Sequence, residues 1–142
     1  MTNSGRDEFI FPVRVYYEDT DSGGVVYYAN YLKFMERART EWLRSFGLEQ
    51  DTLIDRDGVI FAVRSAHVDY LKPAKFNQLL HVSVAIEKPG KASLTFKQEI
   101  TRAQGDSRLL CTGIIKVACL HAQSLHPVPI PDHIKMEILG EH

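Results

Sequence analysis

The sequence is poor in the features that mark several protein classes. Cysteine occurs only twice, at Cys111 and Cys119, so no disulfide framework staples the chain. The pair sits eight residues apart in one apolar stretch that reads as a single strand, too far along it to bridge. Two reduced, buried thiols are expected, in a reducing, cytoplasmic compartment. Neither sign of charge is in excess: 17 basic against 18 acidic side chains give a net charge of −1. That balance argues against bulk capture of nucleic acid or of a membrane surface. No run of roughly 18 apolar residues exists, so no membrane span is expected. Met1 to Phe9 hold no apolar signal-peptide core. Internal repeats and low-complexity blocks are absent as well.

What remains is an ordinary globular composition, 142 residues with 44% hydrophobic and 25% charged side chains. One domain over 1–142 is expected, with 1–9 and 136–142 as loose ends. Phe11, Val13, Val15 and Tyr17 alternate with Pro12, Arg14, Tyr16 and Glu18, the period of a strand. The turn formers Asp19-Thr20-Asp21-Ser22-Gly23-Gly24 end it. Tyr31, Phe34, Met35, Ala38, Trp42, Leu43 and Phe46 then recur at spacings of three and four, which predicts one long amphipathic helix closed by Gly47. A short helical piece over Glu49–Arg56, closed by Gly58, follows.

The remainder reads as strands over 59–72, 79–88, 92–102 and 108–121. Pro89-Gly90 suits the centre of a type II turn, and residues 104–107 suit another tight turn. Residues 132–139 read as a last short helix. Short turns imply antiparallel neighbours, and one helix on one antiparallel sheet is an α+β architecture. Such a sheet keeps open edges, so a homo-oligomer, dimer or tetramer, is expected.

Chemistry concentrates between Tyr16 and Tyr31. Glu18, Asp19 and Asp21 precede two glycines and the helix start. A turn entering a helix presents free N–H groups at a positive dipole end, suited to a developing oxyanion. A carboxylate just before it is placed to attack or to activate water. Asp19 and Asp21 equally suit plain turn and capping roles. A calcium loop is excluded, because its twelfth position, which needs a bidentate Glu, is Asn30. His67 and His81 are lone strand histidines, and His121 and His126 lack a ligand set, so no metal is expected. Ser65, Ser83 and Ser93 lack a nucleophile-elbow context.

The stretch Val13-Arg14-Val15-Tyr16-Tyr17-Glu18-Asp19-Thr20-Asp21, with Val25-Val26-Tyr27, Tyr31 and Glu36-Arg37-Ala38-Arg39-Thr40-Glu41-Trp42-Leu43-Arg44, closely resembles the 4-hydroxybenzoyl-CoA thioesterase family. Within it the likeness is to the Tol–Pal-cluster, YbgC-type branch, over roughly residues 10–135. The resemblance implies a hotdog fold, in which an antiparallel sheet wraps one long helix. It implies hydrolysis of acyl-CoA thioesters without a cofactor, by a homo-oligomer such as a homotetramer. It implies Asp21 as the catalytic carboxylate and the Tyr28 N–H as the group polarising the thioester carbonyl. The chain departs from the branch at Tyr28, where the branch usually has His and other members an aromatic residue. Lys88, Lys91 and Ser93, around the Pro-Gly turn, are the candidates for holding the CoA phosphates; an ordinary solvated hairpin tip is the alternative. Tyr27, Tyr28, Tyr31 and Phe61 are expected to wall the acyl pocket. Hydrolysis of acyl-carrier-protein thioesters and a non-catalytic acyl-CoA or acyl-carrier binding module are the rival functions. A hotdog hydratase lacks support, because no His-centred helix motif is present.

Overall fold

The computed structural model describes residues 8–140. Its spine is helix α1, Ala29–Arg44, whose buried residues Tyr31, Phe34, Met35, Ala38, Trp42 and Leu43 follow the spacing of one helical face. Past its end, Gly47 takes φ 79°, its N–H donates to Arg44 O at 2.8 Å, and Leu48 N–H reaches back to Leu43 O at 3.3 Å. These two bonds form a Schellman cap, and the left-handed φ explains the glycine. A short helix α2, Gln50–Thr52, runs into a π-helical turn over Leu53–Asp57 that Gly58 closes.

Five strands follow the antiparallel order β1-β3-β4-β5-β2. They are β1 Phe9–Arg14, β2 Val59–Tyr70, β3 Leu79–Pro89, β4 Ser93–Arg102 and β5 Leu109–His121. Leu80, Val82 and Val84 of β3, Leu94, Phe96 and Ile100 of β4, and Cys111, Ile115, Val117 and Cys119 of β5 belong to the same buried cluster as the helix face. Helix and sheet approach closely at Gly113, where a Cβ would meet Met35 Sδ at 2.8 Å. A polar knot crosses this core. The fully buried Gln98 donates to Met35 O at 3.1 Å and Ser83 O at 3.2 Å, and its Oε1 accepts from Arg39 Nη1 at 2.9 Å. Burial pushes the Arg39 guanidinium below its usual pKa range, with Glu36 opposing.

Several details differ from the sequence expectation. Strand β1 stops at Arg14 instead of continuing through Tyr17, because the Asp19 carboxylate accepts the Tyr16 N–H at 2.8 Å and turns the chain into a 3-10 turn over Tyr17–Asp19. Pro89-Gly90 does not form a type II turn. A bulge between Ile86 and Lys88 shifts the register, pairing continues to Pro89↔Leu94, and Gly90 N–H donates to Ser93 O at 2.7 Å without a positive φ. The reversal thus falls on Lys91 and Ala92. Helix α3, Asp132–Leu139, runs through the region expected to be loose from 136, because Ile134 and Ile138 are buried. Phe9 belongs to β1 and the exposed Glu8 precedes it, while residues 1–7 of the expected loose start and residues 141–142 lie outside the described residues.

Candidate active site

The segment between β1 and α1 folds back on itself as a short ladder. Thr20 and Val26 form a bridge, Asp21 N–H donates to Val25 O at 3.0 Å, and Tyr27 N–H donates to Asp19 O at 3.0 Å. Residues 74–76 run alongside, through Val26 N–H to Ala74 O at 2.8 Å and Phe76 N–H to Gly24 O at 3.2 Å. Asp19 is the hub of this ladder. Its carboxylate holds Tyr16, and its carbonyl takes both the Tyr27 N–H and the Asn30 Nδ2 at 2.9 Å. Asp19 thus acts as a turn residue that ties the loop to the first turn of α1.

Asp21 is exposed, and its Oδ1 accepts the Gly23 N–H at 2.9 Å. Among the described residues no cation lies within ion-pair range of it, so one face of a solvated carboxylate stays open for chemistry. Tyr28 already has helical angles, φ −57° and ψ −31°, at the start of α1. Its N–H donates to no group among the described residues, which leaves a main-chain donor at the positive end of a sixteen-residue helix.

Beside this donor lies a cleft of about 250 Å³ walled by Val26, Tyr28, Tyr31, Tyr70, Leu71, Lys72 and Pro73. Tyr28 packs on Tyr27 with ring centroids 4.9 Å apart and meets Tyr70 edge-on at 5.9 Å. The buried Tyr31 hydroxyl accepts the Ala74 N–H at 2.9 Å and so pins the floor of the cleft. The Tyr27 hydroxyl, donating toward the neighbouring Tyr28 phenol, has its pKa raised, and burial raises those of Tyr31 and Tyr70. These three phenols stay protonated at neutral pH, so the anionic side chains of the segment are its carboxylates, of which Asp21 stands on the ladder beside the helix start.

The expected site residues do not all converge. Tyr28 and Tyr31 line the cleft; Asp21 stands on the adjoining ladder and is not one of its walls. Phe61 lies elsewhere, in a separate cavity of about 130 Å³ with Arg39, Trp42, Leu43 and Phe96. Lys88, Lys91 and Ser93 lie at the far end of β3. That strand's Leu79 end pairs with Arg14, next to the Asp21 ladder, and its eleven residues put the hairpin roughly 30 Å away. Tyr70, Leu71 and Pro73 escaped sequence reading, although Pro73 after an aromatic strand end marks where β2 must leave the sheet. Both cysteines are buried and unbridged, and burial pushes the Cys111 thiol up to about 12, with Asp69 adding to it, and Cys119 up to about 11. Among the described residues no cluster of three or more His, Cys, Asp or Glu is arranged to hold a metal ion, and no helix is long and apolar enough to cross a membrane.

An antiparallel sheet wrapped on one long helix, with an acidic turn feeding the helix start, defines the hotdog class of acyl-thioester enzymes. The family description "Thioesterase-like superfamily" matches residues 15–138, and the chain belongs to that superfamily. It is 42% identical over 127 residues to the acyl-CoA thioesterase YbgC of Haemophilus influenzae, covering 89% of this chain and 91% of that protein. It is 41% identical over 129 residues to the acyl-CoA thioester hydrolase YbgC of Escherichia coli O6:H1, covering 91% and 94%. Among solved structures, a 1,4-dihydroxy-2-naphthoyl-CoA thioesterase from Synechocystis superposes with a TM-score of 0.85 at 25% identity, over 94% of this chain and 96% of that one. The resemblance read from the Val13–Arg44 motif is the one these relatives bear out.

Proposed function

We propose that the chain hydrolyses acyl-CoA thioesters, adding water across the carbonyl–sulfur bond to release a free acid and CoA thiol. The observation that carries this reading is the open-faced Asp21 carboxylate on the same short ladder as the unpartnered Tyr28 N–H. Asp21 either attacks the carbonyl carbon, giving a mixed anhydride that water opens, or removes a proton from the attacking water. Both routes load negative charge onto the carbonyl oxygen, and the Tyr28 N–H at the helix dipole receives it. Removing one such donor typically costs about 2.7–4 kcal/mol of transition-state stabilisation. The thiolate departs with its electron pair and is protonated by solvent.

The working unit in this proposal is a homo-oligomer, a dimer or a homotetramer. Support comes from β2, a twelve-residue edge strand that pairs with β5 on one side only and is exposed on both faces from Val63 to His67. Such an edge is a template for a second copy. In this proposal the Lys88–Ser93 hairpin, which one chain holds far from the cleft, contacts the substrate from a second copy. The two unbridged, buried thiols support a reducing, cytoplasmic setting. A panel of acyl-CoAs and acyl-carrier-protein thioesters, followed by thiol release, tests the reaction and the carrier. Turnover of acyl-CoA that disappears in Asp21→Asn is the expected result; Asp21→Asn within threefold of wild type removes Asp21 from the mechanism.

A further inference from the structure

We infer that the Tyr31 hydroxyl is a second hydrogen-bond donor to the thioester carbonyl oxygen, sharing it with the Tyr28 N–H. The inference rests on the thioesterase reading above and adds a catalytic group to it. Tyr31 stands one turn after Tyr28 on α1, and both wall the same cleft. Residues three apart share a helix face, and helical side chains lean back toward the N-terminus. The Tyr31 ring therefore leans toward the helix start. Its oxygen is fixed by accepting the Ala74 N–H at 2.9 Å, while the Ala74 carbonyl accepts the Val26 N–H at 2.8 Å. Ala74 thus ties the phenol to the ladder that carries Asp21, and its neighbours in this arrangement, Val26 and Pro73, are also walls of the cleft.

A phenol has one hydrogen to donate, and buried polar hydrogens in folded proteins find an acceptor. The Tyr31 ring is buried, packed against Phe34, edge-on at 6.3 Å, and against Tyr70, tilted at 5.5 Å. Among the described residues the one hydrogen bond of its hydroxyl is the one accepted from Ala74, so its own hydrogen is unspent. The titratable groups that face it, Tyr70 at the end of β2 and Cys111 on β5, take no hydrogen bond from it, and the Cys111 thiol is directed to Thr112 O. Tyr28 and Lys72 are the other titratable walls of the cleft. A carbonyl oxygen seated beside the Tyr28 N–H supplies the missing acceptor. Burial raises the pKa of this phenol, against the lowering effect of the Ala74 bond, so the hydrogen stays on Tyr31 at neutral pH and is donated without being transferred. Because the ring is already packed in place, little reorganisation accompanies the build-up of charge on the oxygen.

Two replacements at position 31 test the donor. Tyr31→Phe deletes the hydroxyl, and kcat for an acyl-CoA that the wild type turns over is expected to fall about 10²-fold or more with KM nearly constant. It also orphans the Ala74 N–H, so Tyr31→difluorotyrosine is needed to separate catalysis from packing. That ring keeps an oxygen to accept the Ala74 N–H but holds its own hydrogen less tightly. The donor is the protonated phenol, so activity is lost as pH rises through its pKa. The wild-type loss lies high, because burial raises that pKa, and the difluoro variant is expected to lose kcat at lower pH. A purely structural phenol accepts the Ala74 N–H in either protonation state, and its fluorination leaves the alkaline limb of the kcat profile where it was. Coincident alkaline limbs in the two proteins overturn the inference. So does a folded Tyr31→Phe with kcat within about threefold of wild type. Wild-type protein that releases no thiol from any acyl-CoA overturns the thioesterase reading, and the donor with it. Thiol release by wild type together with either of the two preceding results overturns the donor alone.

Discussion

Asn30 joins the two halves of the candidate site, since its side chain holds the Asp19 carbonyl that also anchors Tyr27. Asn30→Ala frees the helix start from the ladder, and kcat is expected to fall about tenfold or more while KM for the acyl-CoA changes little. Full stoichiometric binding of a non-hydrolysable thioether analogue would show that the variant is folded; an unchanged kcat would reduce Asn30 to a cap. Asp21→Asn keeps size and turn geometry but removes the anion, so kcat drops by about 10²–10⁴-fold with folding intact by circular dichroism. Tyr28→Phe keeps the ring and the N–H and changes kcat little if the main chain is the working donor. A loss of about 10²-fold at constant KM would instead recruit the phenol, in place of the branch's histidine, as a proton donor. Because the donor belongs to the peptide bond, proline is the one side-chain exchange at position 28 that deletes it.

At the scale of elements, α1 and β3 were readable because their apolar periods are long and unbroken, 3.6 in Tyr31–Leu43 and 2 in Leu80–Ile86, and the other late strands because tight-turn residues bound them. What escaped reading depends on contacts across the sheet. The Lys91–Ala92 reversal follows from a bulge at Ile86/Lys88, which no local turn dipeptide announces. Gln98 interrupts an apolar strand because it serves helix and strand backbone at once, and only the packed structure shows its three partners. Gln98→Leu should cost about 1–3 kcal/mol, since it orphans buried groups on α1 and β3, while Gln98→Glu adds a charge beside the desolvated Arg39. Gly113→Ala drives a methyl into Met35 and should cost a similar amount by overpacking, with Met35→Ala in the same chain recovering part of the loss. Thermal melting of the single and double variants checks both statements.

For the molecule as a whole, one chain supplies a carboxylate, a main-chain donor and a cleft, yet leaves a long strand edge bare. Sequence reasoning named Asp21 and Tyr28, which the fold sets on adjoining segments, together with Lys88, Lys91 and Ser93, which it holds far from them, because distance along a strand between non-neighbouring loops leaves no periodic signal. Light scattering at micromolar concentration should give twice or four times 16.2 kDa. Val63→Asp, a charge on the bare edge, should lower that mass together with activity. An active, stable single chain would overturn the oligomer. The two thiols bear on how this can be followed. Deep burial and the pKa values of about 12 and 11 keep Cys111 and Cys119 from alkylating reagents in the native state. The folded chain is thus a ready blank background for site-specific labelling. One Val63→Cys substitution, with both native cysteines retained, gives a single addressable position at which a fluorophore or spin label reports an approaching copy directly.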